Sequence, residues 1–306
     1  MKNKFLVSIL LVAATLVGCG GGGDSGGGGS SGGGAGGGLT ISVFSAGGSL
    51  NGPRHMVFYN GDLYVANQGG NNVLKIDSQG AQTERLTGIT NPIGLATDGA
   101  DFYVSGSTGA GPGIYPFTVG GGALRARVAV CNNCYGLAAT STTWANGGPI
   151  YSVDQSGNSV KVYTSAGQRA SLNVADKPTG LAFYNNSVFV TRFDVNLSVP
   201  ISQVAANDTV TDFGVSSNVL FNRPNGIAIN PLNGDMYVVN EGVGGVSGVL
   251  KVTSAGVVSQ FLTAADGLCS ATGVAISGSA LYVSNGVCAA GTTAETRNYI
   301  LKASPI

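Results

Sequence analysis

One motif recurs six times along this 306-residue chain, and that recurrence constrains the fold more than any single residue does. Its copies are Pro53–Val57, Pro92–Ala96, Cys134–Ala138, Pro178–Ala182, Pro224–Ala228 and Ala271–Ala275. Five of the six end in Gly-aliphatic-Ala; the first carries His55 where the others have glycine. Each copy is followed by a short strand-like run centred on an aromatic. These aromatics are Tyr64, Tyr103, Tyr151, Phe189, Tyr237 and Tyr282, about 44 residues apart on average. A third run follows in most copies, as in Val73–Asp77, Val249–Thr253 and Ile300–Ala303, and a fourth is visible at Thr83–Leu86 and Val258–Leu262. Four short β-type runs per repeat, joined by glycine turns and without any stretch of helical period, predict a β-propeller blade. The expected fold is all-β: a six-bladed β-propeller of four-stranded blades over residues 39–306. One aromatic per copy at an equivalent place predicts packing between blades rather than a ligand-stacking stripe.

Closure of the ring follows from the same bookkeeping. Only three residues follow Ile300–Ala303, so blade six lacks a fourth strand. An unassigned run, Leu39–Phe44, precedes Pro53 by the distance at which Val258–Leu262 precedes Ala271. Residues 39–45 are therefore expected to complete the last blade from the N-terminal side and cover its edge.

The sequence P-x-G-[LIV]-A followed by Leu-Tyr-Val-x-Asn, as in Pro53 to Asp77, resembles the NHL-repeat family and its gluconolactonase-like relatives across residues 40–306. The resemblance implies a propeller and, for the gluconolactonase-like branch, a calcium-dependent lactonase with a ligand at Asn225 in Pro224-Asn225-Gly226. That branch also has acidic residues opening other first strands, where this chain has Ile93, Tyr135, Thr179 and Thr272. The zinc-dependent NHL lyases and the streptogramin lyases need further histidines, and this chain has one, His55.

Loops from strand four to strand one, and from strand two to strand three, open on one face of a propeller. Residues opening each first strand (Arg54 with His55, Ile93, Tyr135, Thr179, Asn225, Thr272) are expected to converge there. So are those ending each second strand (Asn67, Gly106, Asp154, Arg192, Asn240 with Glu241, Asn285). These positions vary between copies while the core does not, as expected of a site grafted on a repeated frame. The candidate ligand-binding residues are Arg54, His55, Asn67, Asp154, Arg192, Asn225, Asn240, Glu241 and Asn285. Oxygen donors among them suit calcium, while asparagine at strand ends also serves as a turn residue. No nucleophile elbow and no phosphate loop is present.

Residues 1–18 read as a secretory leader: Lys2 and Lys4, then an apolar core from Phe5 to Leu16 too short for a membrane span, which needs about 20 residues. Leu16-Val17-Gly18-Cys19 resembles a bacterial lipobox, which implies cleavage before Cys19 and lipidation of it. With Gly20 rather than Asp next, the resemblance favours the outer membrane of a Gram-negative cell. Residues 19–38 form the lipidated cysteine and a Gly/Ser-rich tether, expected from composition to be a flexible coil. Four other cysteines remain. Cys131 and Cys134 are expected to form one structural disulfide and Cys269 with Cys288 a second. Without the leader the charge is 13 basic against 15 acidic residues, with no basic cluster to bind nucleic acid.

The function expected from these observations is a lipid-anchored cell-envelope module that binds or scaffolds through its loop-rich face. It would need no cofactor, and its partner would be an envelope protein or a small-molecule or glycan ligand. The alternative is a calcium-dependent lactonase-like hydrolase centred on Asn225, Asp154 and Glu241.

Overall fold

The structure is a computed structural model. It describes residues 38–306 except 119, 121–122, 133, 195–196, 218, 243–246 and 287–297, so Cys19, the leader and nearly all of the tether lie outside the described residues. Six four-stranded antiparallel sheets are arranged as blades. Blade one is Pro53–Tyr59, Asp62–Asn67, Asn72–Ile76 and Gln82–Leu86; blade two is Leu95–Thr97, Asp101–Thr108, Gly111–Thr118 and Ala129–Val130. Blade three is Cys134–Ala139, Ile150–Asp154, Ser159–Thr164 and Gly167–Asn173; blade four is Pro178–Tyr184, Ser187–Arg192, Ile201–Ala205 and Val210–Asp212. Blade five is Pro224–Ile229, Met236–Asn240, Gly248–Val252 and Val258–Leu262. Blade six is Ala271–Ser277, Ala280–Asn285 and Tyr299–Ser304, completed by Thr40–Ala46 as its outer strand.

The core is divided among the junctions. Six hydrophobic clusters are found among the described residues, and each joins two neighbouring blades. The alternation of the second strands explains this. In Leu63-Tyr64-Val65-Ala66, Leu63 and Val65 face blade six, and Tyr64 and Ala66 face blade two. A strand apolar on both faces is what a blade sandwiched between two others requires. All six repeat aromatics are buried, and Tyr64 meets Phe102 of blade two with ring centroids 4.3 Å apart.

The ring is tight at the inner strands, which is why the repeat keeps glycine there. A Cβ on Gly180 would lie 2.1 Å from the Asn225 carbonyl oxygen, and one on Gly273 would lie 2.2 Å from that of Arg54. Backbone at that distance leaves no room for a side chain. At the junction of blades one and two, where His55 replaces glycine, the first strand of blade two shrinks to Leu95–Thr97.

The closing strand pairs antiparallel with Tyr299–Ser304 from Thr40↔Ser304 to Ala46↔Tyr299, with a bulge at Phe44. Phe44 turns inward and meets Tyr282 edge-on at 4.9 Å. Ser45 is buried and donates to the Gly80 carbonyl of blade one at 2.8 Å, so the strand also ties blade six to blade one.

Candidate functional site

The first strands carry an irregularity that aims their side chains at the channel. In blade one, Pro53 pairs with Asn67 and Met56 with Val65, so Arg54 and His55 together stand opposite Ala66 alone. In blade five, Asn225 and Gly226 likewise stand opposite Val239. The same two-against-one bulge recurs at Tyr135-Gly136 and Thr179-Gly180. A bulge bends its strand and re-aims the extra side chain, here toward the channel mouth.

Two of these bulges are held from the preceding blade by matching hydroxyl pairs. Thr179 donates to the Pro224 carbonyl at 3.0 Å and Thr191 to that of Asn225 at 2.5 Å. Thr272 donates to the Pro53 carbonyl at 3.1 Å and Ser284 to that of Arg54 at 2.9 Å. Blades four and six thus fix the backbone of the two segments that carry Asn225 and Arg54.

The structure brings Arg54, His55, Asn225 and Glu241 together, with Tyr135 alongside. Asn225 donates from Nδ2 to Glu241 Oε2 at 3.3 Å. The His55 ring lies beside the Asn225 side chain, whose proximity favours the protonated ring. Burial pushes His55 down to about 4, the neighbouring Arg54 charge lowers it further, and the Asn225 side chain pulls weakly the other way. The imidazole is therefore neutral at ordinary pH. Burial also lowers Arg54 below the usual arginine value, while Glu241 and Tyr135 raise it; guanidinium remains charged regardless. Arg54 Nε donates to Gln68 Oε1 at 2.5 Å, and Gln68 donates to Asn91 Oδ1 at 2.6 Å. Two members of this cluster, Arg54 and Glu241, line a cavity of about 480 Å³ together with Gln68, Asn91, Ser270 and Thr272 among others.

The other candidates hold the frame. Asn67 Oδ1 accepts from the Asn51 N–H at 2.6 Å, Asn240 Oδ1 from Asn222 at 3.2 Å and Asn285 Oδ1 from Cys269 at 3.2 Å. In each case the donor lies two residues before the first strand, so these asparagines clamp their own blade's lead-in loop. Arg192, at the equivalent place in blade four, substitutes charge for that bond: it pairs with Asp176 at 3.7 Å and Asp212 at 2.7 Å and donates to Ser202. Asp154 closes its own turn, accepting from Gly157 at 3.0 Å, and pairs with Lys161 at 3.3 Å. None of these five joins the Arg54 cluster. Gln68 and Asn91, which steady Arg54, stand outside the repeated positions, and only the odd Gln68-Gly69-Gly70 turn after Asn67 marks the place in sequence.

Calcium does not suit this cluster. It takes six to eight oxygens, whereas Glu241 supplies the cluster's only carboxylate and the Arg54 cation stands near it. No group of three or more His, Cys, Asp or Glu residues able to hold a metal occurs among the described residues. A larger cleft of about 910 Å³ lies at the rim between blades one and two, away from these residues. Two of its arginines are committed, Arg125 to Asp101 and Arg127 to the Ala110 and Pro112 carbonyls.

Cys131 and Cys134 form a disulfide with Cα atoms 5.8 Å apart in the loop leading into blade three. Cys269 is also disulfide-bonded, and Cys288, its expected partner, lies outside the described residues.

No family model matches the chain, and no curated protein matches it. Solved structures do. A gluconolactonase from Xanthomonas campestris superposes with TM-score 0.63 at 15% identity, covering 87% of this chain and 90% of that one. A PQQ-bound aldose sugar dehydrogenase from Streptomyces coelicolor gives 0.61 at 14% identity, covering 87% and 98%. A virginiamycin B lyase from Staphylococcus aureus gives 0.58 at 15% identity, covering 88% and 100%. Likeness at such identity establishes the shared propeller fold.

Proposed function

We propose that this protein is a lactonase-like hydrolase acting on small, polar lactones or esters at the channel mouth, and that it does so without calcium. The observation that carries the reading is that Glu241, held by Asn225, lines one cavity together with Arg54. Glu241 accepts a proton from a water, and the resulting hydroxide attacks the lactone carbonyl carbon. The negative charge then forming on the carbonyl oxygen is opposed by the Arg54 guanidinium. When the ring C–O bond breaks, the departing oxygen takes the proton back from Glu241, leaving a hydroxy acid. Asn225 is a positioning residue, its amide holding one Glu241 oxygen, and the neutral His55 ring lies beside it. The solved neighbours with this fold include a gluconolactonase, which favours an enzyme over a pure scaffold.

We also propose that the head is tethered to the cell envelope through lipid on Cys19, probed by comparing membrane and soluble fractions for the wild type and Cys19→Ala. The leader and Leu16-Val17-Gly18-Cys19 support this part of the reading. For the chemistry, the test is a panel of lactones and esters presented to the full chain and to Glu241→Gln. Turnover that falls at least a hundredfold in the variant supports the hydrolase. Turnover by neither protein, with an envelope partner retained on pull-down, returns the reading to a binding module.

A further inference from the structure

We infer that the end of the ring opposite the channel mouth, in blades five and six, rests on a phospholipid surface and holds the mouth away from it. The inference builds on the tether proposed at Cys19 and concerns the posture of the body rather than its chemistry. Strand register fixes the two ends. In blade six, Ala271 pairs with Asn285 at the mouth end, next to the cavity-lining Thr272, while Ser277 pairs with Ala280 at the other. The third strand follows, with Asn285↔Tyr299 and Leu281↔Ala303, so Ser304 and its partner Thr40 lie away from the mouth. Leu39, just before that strand, is 41% exposed there. The chain from Cys19 therefore joins the body on the face opposite Arg54 and Glu241.

That face presents apolar side chains where the chain enters. Leu232 is 87% exposed in the turn between Pro224–Ile229 and Met236–Asn240, and Val257 is 54% exposed in the turn between Gly248–Val252 and Val258–Leu262. The two turns touch: a Cβ on Gly234 would lie 3.3 Å from the Ser254 Cβ. Turns 230–235, 253–257 and 277–280 of blades five and six hold one charged residue, Asp235, which is buried and paired with Lys251 at 2.9 Å. Charge at this end lies in other blades, at Asp77, Asp101 and Asp208, so the ring meets an apolar surface tilted onto blades five and six. Exposed apolar tips rimmed by uncharged polar residues suit the headgroup boundary, and they add a second contact to a lipid chain. Val130, Val219 and Leu220 are exposed at the mouth end. That end, however, also holds the Lys177–Asp194 and Arg192–Asp176 pairs, which contact with lipid would strip of water. Mouth-down docking would further need the tether to run the height of the ring, about 20 Å for a six-residue strand. By composition, residues 20–38 have a relaxed span of only roughly 25 Å.

Tryptophan quenching by vesicles of brominated phosphatidylethanolamine and phosphatidylglycerol tests this on the protein purified from cells expressing the full chain. Leu232→Trp and Val257→Trp report from the far face and Val219→Trp from the mouth, each read against wild type, whose Trp144 gives the background. All three sites are exposed, and an unchanged unfolding midpoint qualifies each variant. The emission added by Leu232→Trp and Val257→Trp should fall by roughly half on brominated vesicles, and that added by Val219→Trp by under about a tenth. Quenching of Val219→Trp as deep as that of Leu232→Trp, or none at any of the three sites, would overturn the assignment. So would a blue shift of Leu232→Trp emission that grows with protein concentration before lipid is added, which would mark the face as a contact between two copies. Failure of the tether reads differently: wild type would stay in the soluble fraction, and quenching of Leu232→Trp by excess vesicles would still support the face, its absence refute it. Membrane-held protein without quenching keeps the tether and refutes the face.

Discussion

Replacing Phe44 with alanine attacks the seam between the first and last parts of the ring. Phe44 is the extra residue of the bulge in the closing strand, partly buried against Tyr282 and the cluster between blades six and one. A fully buried Phe→Ala change costs about 3–5 kcal/mol. Half of that burial leaves about 2 kcal/mol, and loss of the edge-on contact with Tyr282 adds roughly 0.5–1 kcal/mol. The expected cost is therefore about 2–3 kcal/mol, a large fraction of a net stability of roughly 5–15 kcal/mol. Val43 is the internal control: it sits on the opposite face at 58% exposure, and Val43→Ala should cost under about 0.5 kcal/mol. Equilibrium urea unfolding of the full chain gives both numbers, provided the slope is unchanged. If Phe44→Ala costs no more than Val43→Ala, the strand does not seal the ring and the closure argument fails.

Three other perturbations test separate joints of the account. Gly180→Ala places a Cβ 2.1 Å from the Asn225 carbonyl and should destabilise by about 3 kcal/mol, whereas Gly109→Ala, which meets nothing within 4 Å, should stay within about 0.5 kcal/mol; equal effects would mean the inner ring is not close-packed. His55 lies at about 4 in the folded chain against an ordinary 6.5, so its contribution is complete above pH 6.5 and is lost as pH falls toward 4. Wild type should therefore lose about 2–3 kcal/mol more than His55→Gln over that window, after allowing for screening by channel water; parallel curves would contradict a neutral His55. Non-reducing peptide mapping should find Cys131 linked to Cys134 and Cys269 to Cys288, and a Cys131–Cys269 peptide would refute that pairing.

The fold was legible because its signal repeats. Six copies of one motif tolerate local ambiguity, and the strand missing from blade six pointed to residues 39–45, where Thr40–Ala46 pairs. The grouping of the candidate residues was legible only in part. His55 announces itself as the exception to a glycine, and Asn225 as a polar residue in a bulge. Asn67, Asn240 and Asn285 look identical in sequence to ligand-bearing asparagines. Only the register shows their amides turned to the lead-in loops. Gln68 could not be found, because what recruits it is the position of Arg54 in space.

The most direct test of the central claim is proton release during lactone hydrolysis by the full chain after exhaustive treatment with EDTA. The account predicts that turnover survives chelation, is not raised by added calcium, and falls at least a hundredfold in Glu241→Gln while the unfolding midpoint holds. Activity that vanishes with EDTA and returns with calcium would contradict it, as would a Glu241→Gln variant that turns over normally.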